Sequence, residues 1–91
     1  MKIVFKDSFL IRLAKQIRYI SRDSPARAEK FRTELFGKIK TIPNRPFSFR
    51  KSVYFEDENI RDLVFKSYTI VFRITADRIE VFGFVKYQEG P

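Results

Sequence analysis

The chain has neither cysteine nor histidine. No disulfide can staple the fold, and the residues offer no evident metal site. Stability must therefore come from packing, and a domain this short buries a smaller share of its surface than a large one does. No apolar run approaches the length that spans a bilayer, and Met1 to Phe9 lacks the apolar stretch of a signal peptide. A cytoplasmic protein with no membrane partner is expected. There is no internal repeat, low-complexity tract or linker, so residues 1–91 read as one domain with one core.

Large aromatics and positive charge are abundant. Eleven Phe and four Tyr point to a phenylalanine-rich core, because aromatics bury the most area per ordered residue. Lys and Arg number 19 against 11 acidic residues, a formal charge of +8 spread along the chain. Such a field favours nucleic acid, an anionic surface or an acidic protein segment, and speeds encounter with each.

Lys2 to Phe5 reads as a short edge strand, with Asp7 or Ser8 placed to cap a helix from about Ser8 to Ser21. On that helix Phe9, Leu10, Leu13, Ile17 and Ile20 form an apolar face, and Arg12, Lys15, Arg18 and Arg22 a cationic stripe on another. The stripe contains no acid, which marks it as a candidate partner contact. Ser24-Pro25 restarts the chain as a second helix, since Ser caps and Pro needs no N–H at the first helical position. Ala28, Phe31, Leu35, Ile39 and Ile42 recur at helical spacing until Pro43 forbids continuation, so this helix is expected to reach about Thr41. The two helices must form an antiparallel hairpin.

Composition changes at Pro43. Residues 43–50 carry turn formers, and Arg50 and Lys51 follow as a basic loop, a candidate for nucleic-acid or target contact. Val53 to Phe55 is a candidate short strand. Tyr68, Ile70, Phe72 and Ile74 alternate with Thr69, Val71, Arg73 and Thr75, the pattern of a strand with one buried and one more polar face. Ala76-Asp77 marks a reversal, and Ile60 to Lys86 reads as an antiparallel meander. The fold class is α+β: a short N-terminal strand and a two-helix hairpin packed on a C-terminal meander.

This order resembles the RelE/ParE superfamily, the toxins of type II toxin–antitoxin systems. Ile17 to Phe31 (IRYISRDSPARAEKF), with Leu35 and Ile39, looks like the family's helical hairpin, and Arg61-Asp62-Leu63 and Tyr68 to Ile74 like its central strands. The long helices joined by Asp-Ser-Pro look more ParE-like. The resemblance implies a cognate antitoxin with an acidic, partly disordered segment, a toxin–antitoxin hetero-oligomer, and no cofactor. It leaves two targets open. ParE-like members poison DNA gyrase with no chemistry of their own; RelE-like members cut messenger RNA on the ribosome.

The second activity needs a group to activate the ribose 2'-hydroxyl, cations for the charged phosphorane and an acid for the leaving oxygen. Without histidine these roles fall to Arg61, Arg73, Lys86 and Tyr87, of which Lys86-Tyr87 stands where nuclease members often carry a His-Tyr or Arg-Tyr pair. Arg61 and Arg73, on neighbouring strands, are expected to be able to face one site. Tyr68 or Thr69 stands where some nuclease members carry an Arg, a departure that counts against cutting, and the long hairpin and missing histidine favour the gyrase reading. A nucleic-acid-binding module without toxicity is the remaining alternative, supported by net charge alone.

Overall fold

Ser24 shows how directly sequence sets the fold: its backbone N–H donates to Ile20 O at 3.1 Å, closing one helix, and its Oγ accepts from the Arg27 backbone N–H at 3.1 Å, opening the next. The computed structural model describes residues 1–86. Strand β1 (Lys2–Phe5) leads into helices α1 (Asp7–Asp23) and α2 (Pro25–Ile39). Two short 3-10 turns, Ile42–Asn44 and Pro46–Ser48, then connect to β2 (Arg50–Lys51), β3 (Ile60–Phe65), β4 (Tyr68–Ile74) and β5 (Arg78–Lys86). The five strands form one sheet in the order β1-β5-β4-β3-β2. Strand β1 runs parallel to β5 at one edge, and every other pairing is antiparallel.

Both helices cover one face of the sheet. Phe9 and Leu13 of α1 and Phe31, Leu35 and Ile39 of α2 meet Leu63, Phe65, Ile70, Phe72, Ile79, Val81 and Phe84 in one core. Aromatic rings join the layers: Phe9 meets Phe84 edge-on at 6.0 Å, and Phe31 meets Tyr68 at 5.2 Å. Each such side chain taken from water is worth about 1.5–3 kcal/mol. Leu35 is fully buried, and its truncation to Ala would cost about 2–5 kcal/mol.

Several local expectations are corrected. Neither Asp7 nor Ser8 caps α1: Lys6 holds the cap position without a side-chain bond. The Ser8 hydroxyl instead donates to the Phe82 carbonyl at 2.6 Å, and the Lys6 N–H to Val81 O at 2.9 Å, which pins the start of α1 to β5. Helix α2 ends at Ile39 rather than near Thr41, because Pro43 enforces the 3-10 turn that follows. Arg50 and Lys51 form a strand, not a loop, and Val53 to Phe55 do not extend it. Side chains take the donors that a strand would need: the Val53 N–H goes to Asp62 Oδ2 at 3.0 Å and the Tyr54 N–H to Ser52 Oγ at 3.1 Å.

The more polar face of β4 carries exposed Arg73, as the alternation predicts, but is covered along its first half. Thr69 and Val71 are 6% and 1% exposed, because the stretch after β2 brings Tyr54 and Phe55 over that side. A bulge fixes the arrangement. Val71 faces Gly83 and Phe72 faces Val81, which leaves Phe82 as the extra residue of β5. The Phe82 ring meets Phe55 edge-on at 5.5 Å.

Candidate functional site

Helix α1 carries the largest unpaired charge. Arg12, Lys15, Arg18 and Arg22 are all exposed, and among the described residues none of them forms an ion pair. The face is also apolar. Ile11 is 66% exposed and lies one turn before Lys15, while Leu10, expected in the core, is 41% exposed at the margin. Tyr19 is exposed too. The helix thus offers cations interleaved with aliphatic and aromatic groups, a combination suited to an acidic amphipathic segment. Sequence reasoning grouped Leu10 with the core and passed over Ile11. The signal was there: Ile11 stands four, seven and eleven residues before Lys15, Arg18 and Arg22, on their own stripe.

A second cationic group lies on the sheet face turned away from the helices. Glu80 of β5 is buried, and its carboxylate accepts from Arg78 Nε at 2.9 Å. Arg73 Nη1 stands 3.5 Å from it and Lys6 Nζ 3.9 Å. Three half-exposed cations share one carboxylate, so positive charge remains in excess. Arg73 also lies over the Phe82 ring at 5.3 Å.

The cations assigned to catalysis do not meet. Residues paired across a ladder share a face, and Arg61 pairs with core Phe72 whereas Arg73 pairs with Ile60. Arg61 and Arg73 therefore point to opposite sides of the sheet, and the expectation that they face one site is not met. Period-two alternation is the cause: partners offset by one residue change sides. Arg61 binds locally, donating to Glu58 O at 2.8 Å and Phe49 O at 3.0 Å with its guanidinium over Phe47. Lys86 pairs with Tyr68 on the helix side, where its ammonium lies 5.9 Å from the Tyr19 ring. Tyr87 falls outside the described residues.

Arg50 and Lys51 are also engaged. Arg50 Nη2 reaches buried Asp62 Oδ2 at 3.3 Å, and Lys51 Nζ reaches Glu58 Oε1 at 3.2 Å. Among the described residues no three His, Cys, Asp or Glu side chains stand together as metal ligands. Tyr68 has an altered proton affinity: burial holds its phenol above its ordinary range, partly opposed by the hydrogen bond from Gln16 Nε2 and reinforced by Tyr19. A phenol held protonated is a donor at neutral pH, not a base.

The comparisons with known proteins agree with this architecture. The family model described as ParE toxin of type II toxin-antitoxin system, parDE, matches residues 3–89. A chain of the chromosomal ParDE TA system from P. aeruginosa superposes with a TM-score of 0.78 at 14% identity, covering 97% of this chain and 97% of that one. At that identity the likeness concerns the fold. No curated protein matches the sequence.

Proposed function

The chain belongs to the ParE toxin family of type II toxin–antitoxin systems, and from that premise we propose that, free of its antitoxin, it arrests growth by poisoning DNA gyrase without chemistry of its own. One observation supports the non-catalytic reading above the rest. Arg61, Arg73 and Lys86 are spent on separate local partners on different sides of the sheet. In-line cleavage of RNA needs a proton acceptor, a cation and a proton donor around one phosphate, and these three residues supply no such centre.

A cognate antitoxin is the partner of such a toxin. Its acidic, partly disordered segment would lie along α1, where exposed Leu10 and Ile11 lead into the cations Arg12, Lys15, Arg18 and Arg22. Folding of that segment on binding would bury apolar surface and neutralise repelling cations, stabilising the small domain by mass action.

Ribosome-dependent RNA cleavage remains the second reading, favoured by the excess charge of Lys6, Arg73 and Arg78 beside Phe82 and Phe55. Induction of the chain alone in bacteria distinguishes the two. Gyrase poisoning predicts loss of supercoiling with DNA damage as the first lesion, and intact messages. Early codon-specific cuts in messages would replace it with the nuclease reading, and undisturbed growth would remove both.

A further inference from the structure

A cavity of about 410 Å³ opens between the α1–α2 junction and the two-residue turn joining β3 to β4. Arg27 and Lys30 of α2 and Lys66 of the turn reach it, with Asp23 as the acid in its wall. Glu34 stands 3.9 Å from Lys30 and 3.7 Å from Lys66, so its one charge is divided between two cations. Among the described residues Arg27 has no ion-pair partner. The lining therefore has positive charge to spare for an anion.

Lys66 is held there against its backbone preference. Its φ is 55°, the left-handed region that glycine or asparagine occupies more cheaply than lysine. A cation kept at a strained position on a cavity rim suggests use of the charge. Hydroxyl donors stand beside it. Ser67 lines the cavity, and Tyr68, whose oxygen accepts from Gln16, still has its own proton to give. The remaining wall is aromatic: Tyr19 is 57% exposed, and the buried Phe31 ring lies behind.

We propose that this cavity binds a nucleoside phosphate, the phosphate held by Arg27, Lys30 and Lys66 and the base laid against Tyr19. Cations and hydroxyl donors on one side match a phosphate, and a flat exposed ring matches a base. Inorganic phosphate would leave most of the volume unfilled, since cavities of about 300–1,000 Å³ take whole small molecules. An acidic peptide fits less well, because these cations converge on one concave spot whereas those of α1 run along an open face. The inference is independent of the toxin reading and would stand if that reading failed.

Calorimetric titration of the full chain at about 0.15 M salt with adenosine monophosphate, guanosine monophosphate, adenosine and inorganic phosphate tests it. At least one nucleotide should bind saturably, one per chain, with nucleoside and phosphate each weaker by about tenfold or more. Arg27→Ala and Lys66→Asn should each weaken nucleotide binding by about tenfold or more, while Arg12→Ala and Lys15→Ala leave it unchanged. Asparagine suits the left-handed backbone, so an unchanged melting temperature for Lys66→Asn separates lost binding from lost fold. The proposal is overturned by absence of saturable binding, by phosphate binding as well as the nucleotides, or by equal losses in the α1 variants. Binding confined to a poly-glutamate peptide that nucleotides do not displace would overturn it as well.

Discussion

Val71 occupies the room that a side chain at position 83 would need: a Cβ on Gly83 would lie 2.8 Å from the Val71 Cβ and 3.0 Å from its Cγ2. The two residues face each other across β4 and β5, immediately before the bulge that turns Phe82 towards Phe55. Glycine here allows the strands to close over a β-branched neighbour, and the sheet's second face depends on that closure.

Gly83→Ala should therefore destabilise the protein by about 1–3 kcal/mol, the usual cost of overpacking a well-filled site. Neither backbone can retreat without breaking ladder bonds. Adding Val71→Ala should return part of the loss, giving a favourable coupling in a double-variant cycle measured by urea denaturation. Strictly additive losses would mean that the two positions do not share this space.

Asp62 is fully buried at its side chain, its Oδ2 accepting from Arg50 Nη2 and from the Val53 N–H, while its Oδ1 has no partner. A buried carboxylate that loses its cation keeps its desolvation cost. Arg50→Ala should then cost about 1–2 kcal/mol, although Arg50 itself is half exposed. The same substitution in an Asp62→Asn background should cost almost nothing, because no buried charge is left uncompensated. Equal costs in both backgrounds, read from chemical denaturation, would assign the effect of Arg50 to something other than this pair.

The two-helix hairpin and the meander were legible because their signals are local. Ser24-Pro25 caps and starts α2, and the alternation from Tyr68 to Ile74 marks β4. What the sequence hid depends on contacts distant along the chain. Ser8 looks like a helix cap, yet its hydroxyl serves a β5 carbonyl. Thr69 and Val71 look accessible until Tyr54 and Phe55 fold across them. The partner surface on α1 was visible as charge, but its apolar component was not, since Leu10 read as a core residue and Ile11 was grouped with neither face. The catalytic grouping failed for a geometric reason: adjacent strands do not place residues on one face unless their register agrees, and Arg61 aligns with Phe72 rather than Arg73.

Tyr68 should give the protein a defined weakness to alkali. Its phenol is held above its ordinary value by burial, so the unfolded chain loses this proton first as pH rises. The associated stability is fully present below about pH 10 and is lost as pH rises beyond it. Tyr68→Phe keeps the stack on Phe84 at 5.0 Å and the contact with Phe31 but gives up the Gln16 bond, a loss of about 1 kcal/mol at neutral pH. The difference between the melting temperatures of the two proteins should hold up to about pH 9 and close as pH rises past about 10. A difference that stays constant there would show that Tyr68 ionisation is not coupled to folding.

The α1 face should separate into an electrostatic and an apolar part. Lys15→Glu with Arg18→Glu reverses two unpaired, exposed charges, so the fold should be unchanged within about 0.5 kcal/mol. Binding to the cognate antitoxin should weaken by about tenfold or more, chiefly through slower association, with a smaller dependence on salt. Ile11→Asp tests the other part. Ile11 is 66% exposed and supports no core contact, so its substitution should leave the melting temperature in place and raise the dissociation rate. Salt decides between the contributions: screening should hide much of the charge-reversal defect at about 1 M, where the Debye length falls to about 3 Å, and should leave the Ile11→Asp defect largely intact. If all three substitutions leave the antitoxin's affinity untouched at every salt concentration, the antitoxin does not bind along α1, and the surface of Lys6, Arg73 and Arg78 becomes the next to test.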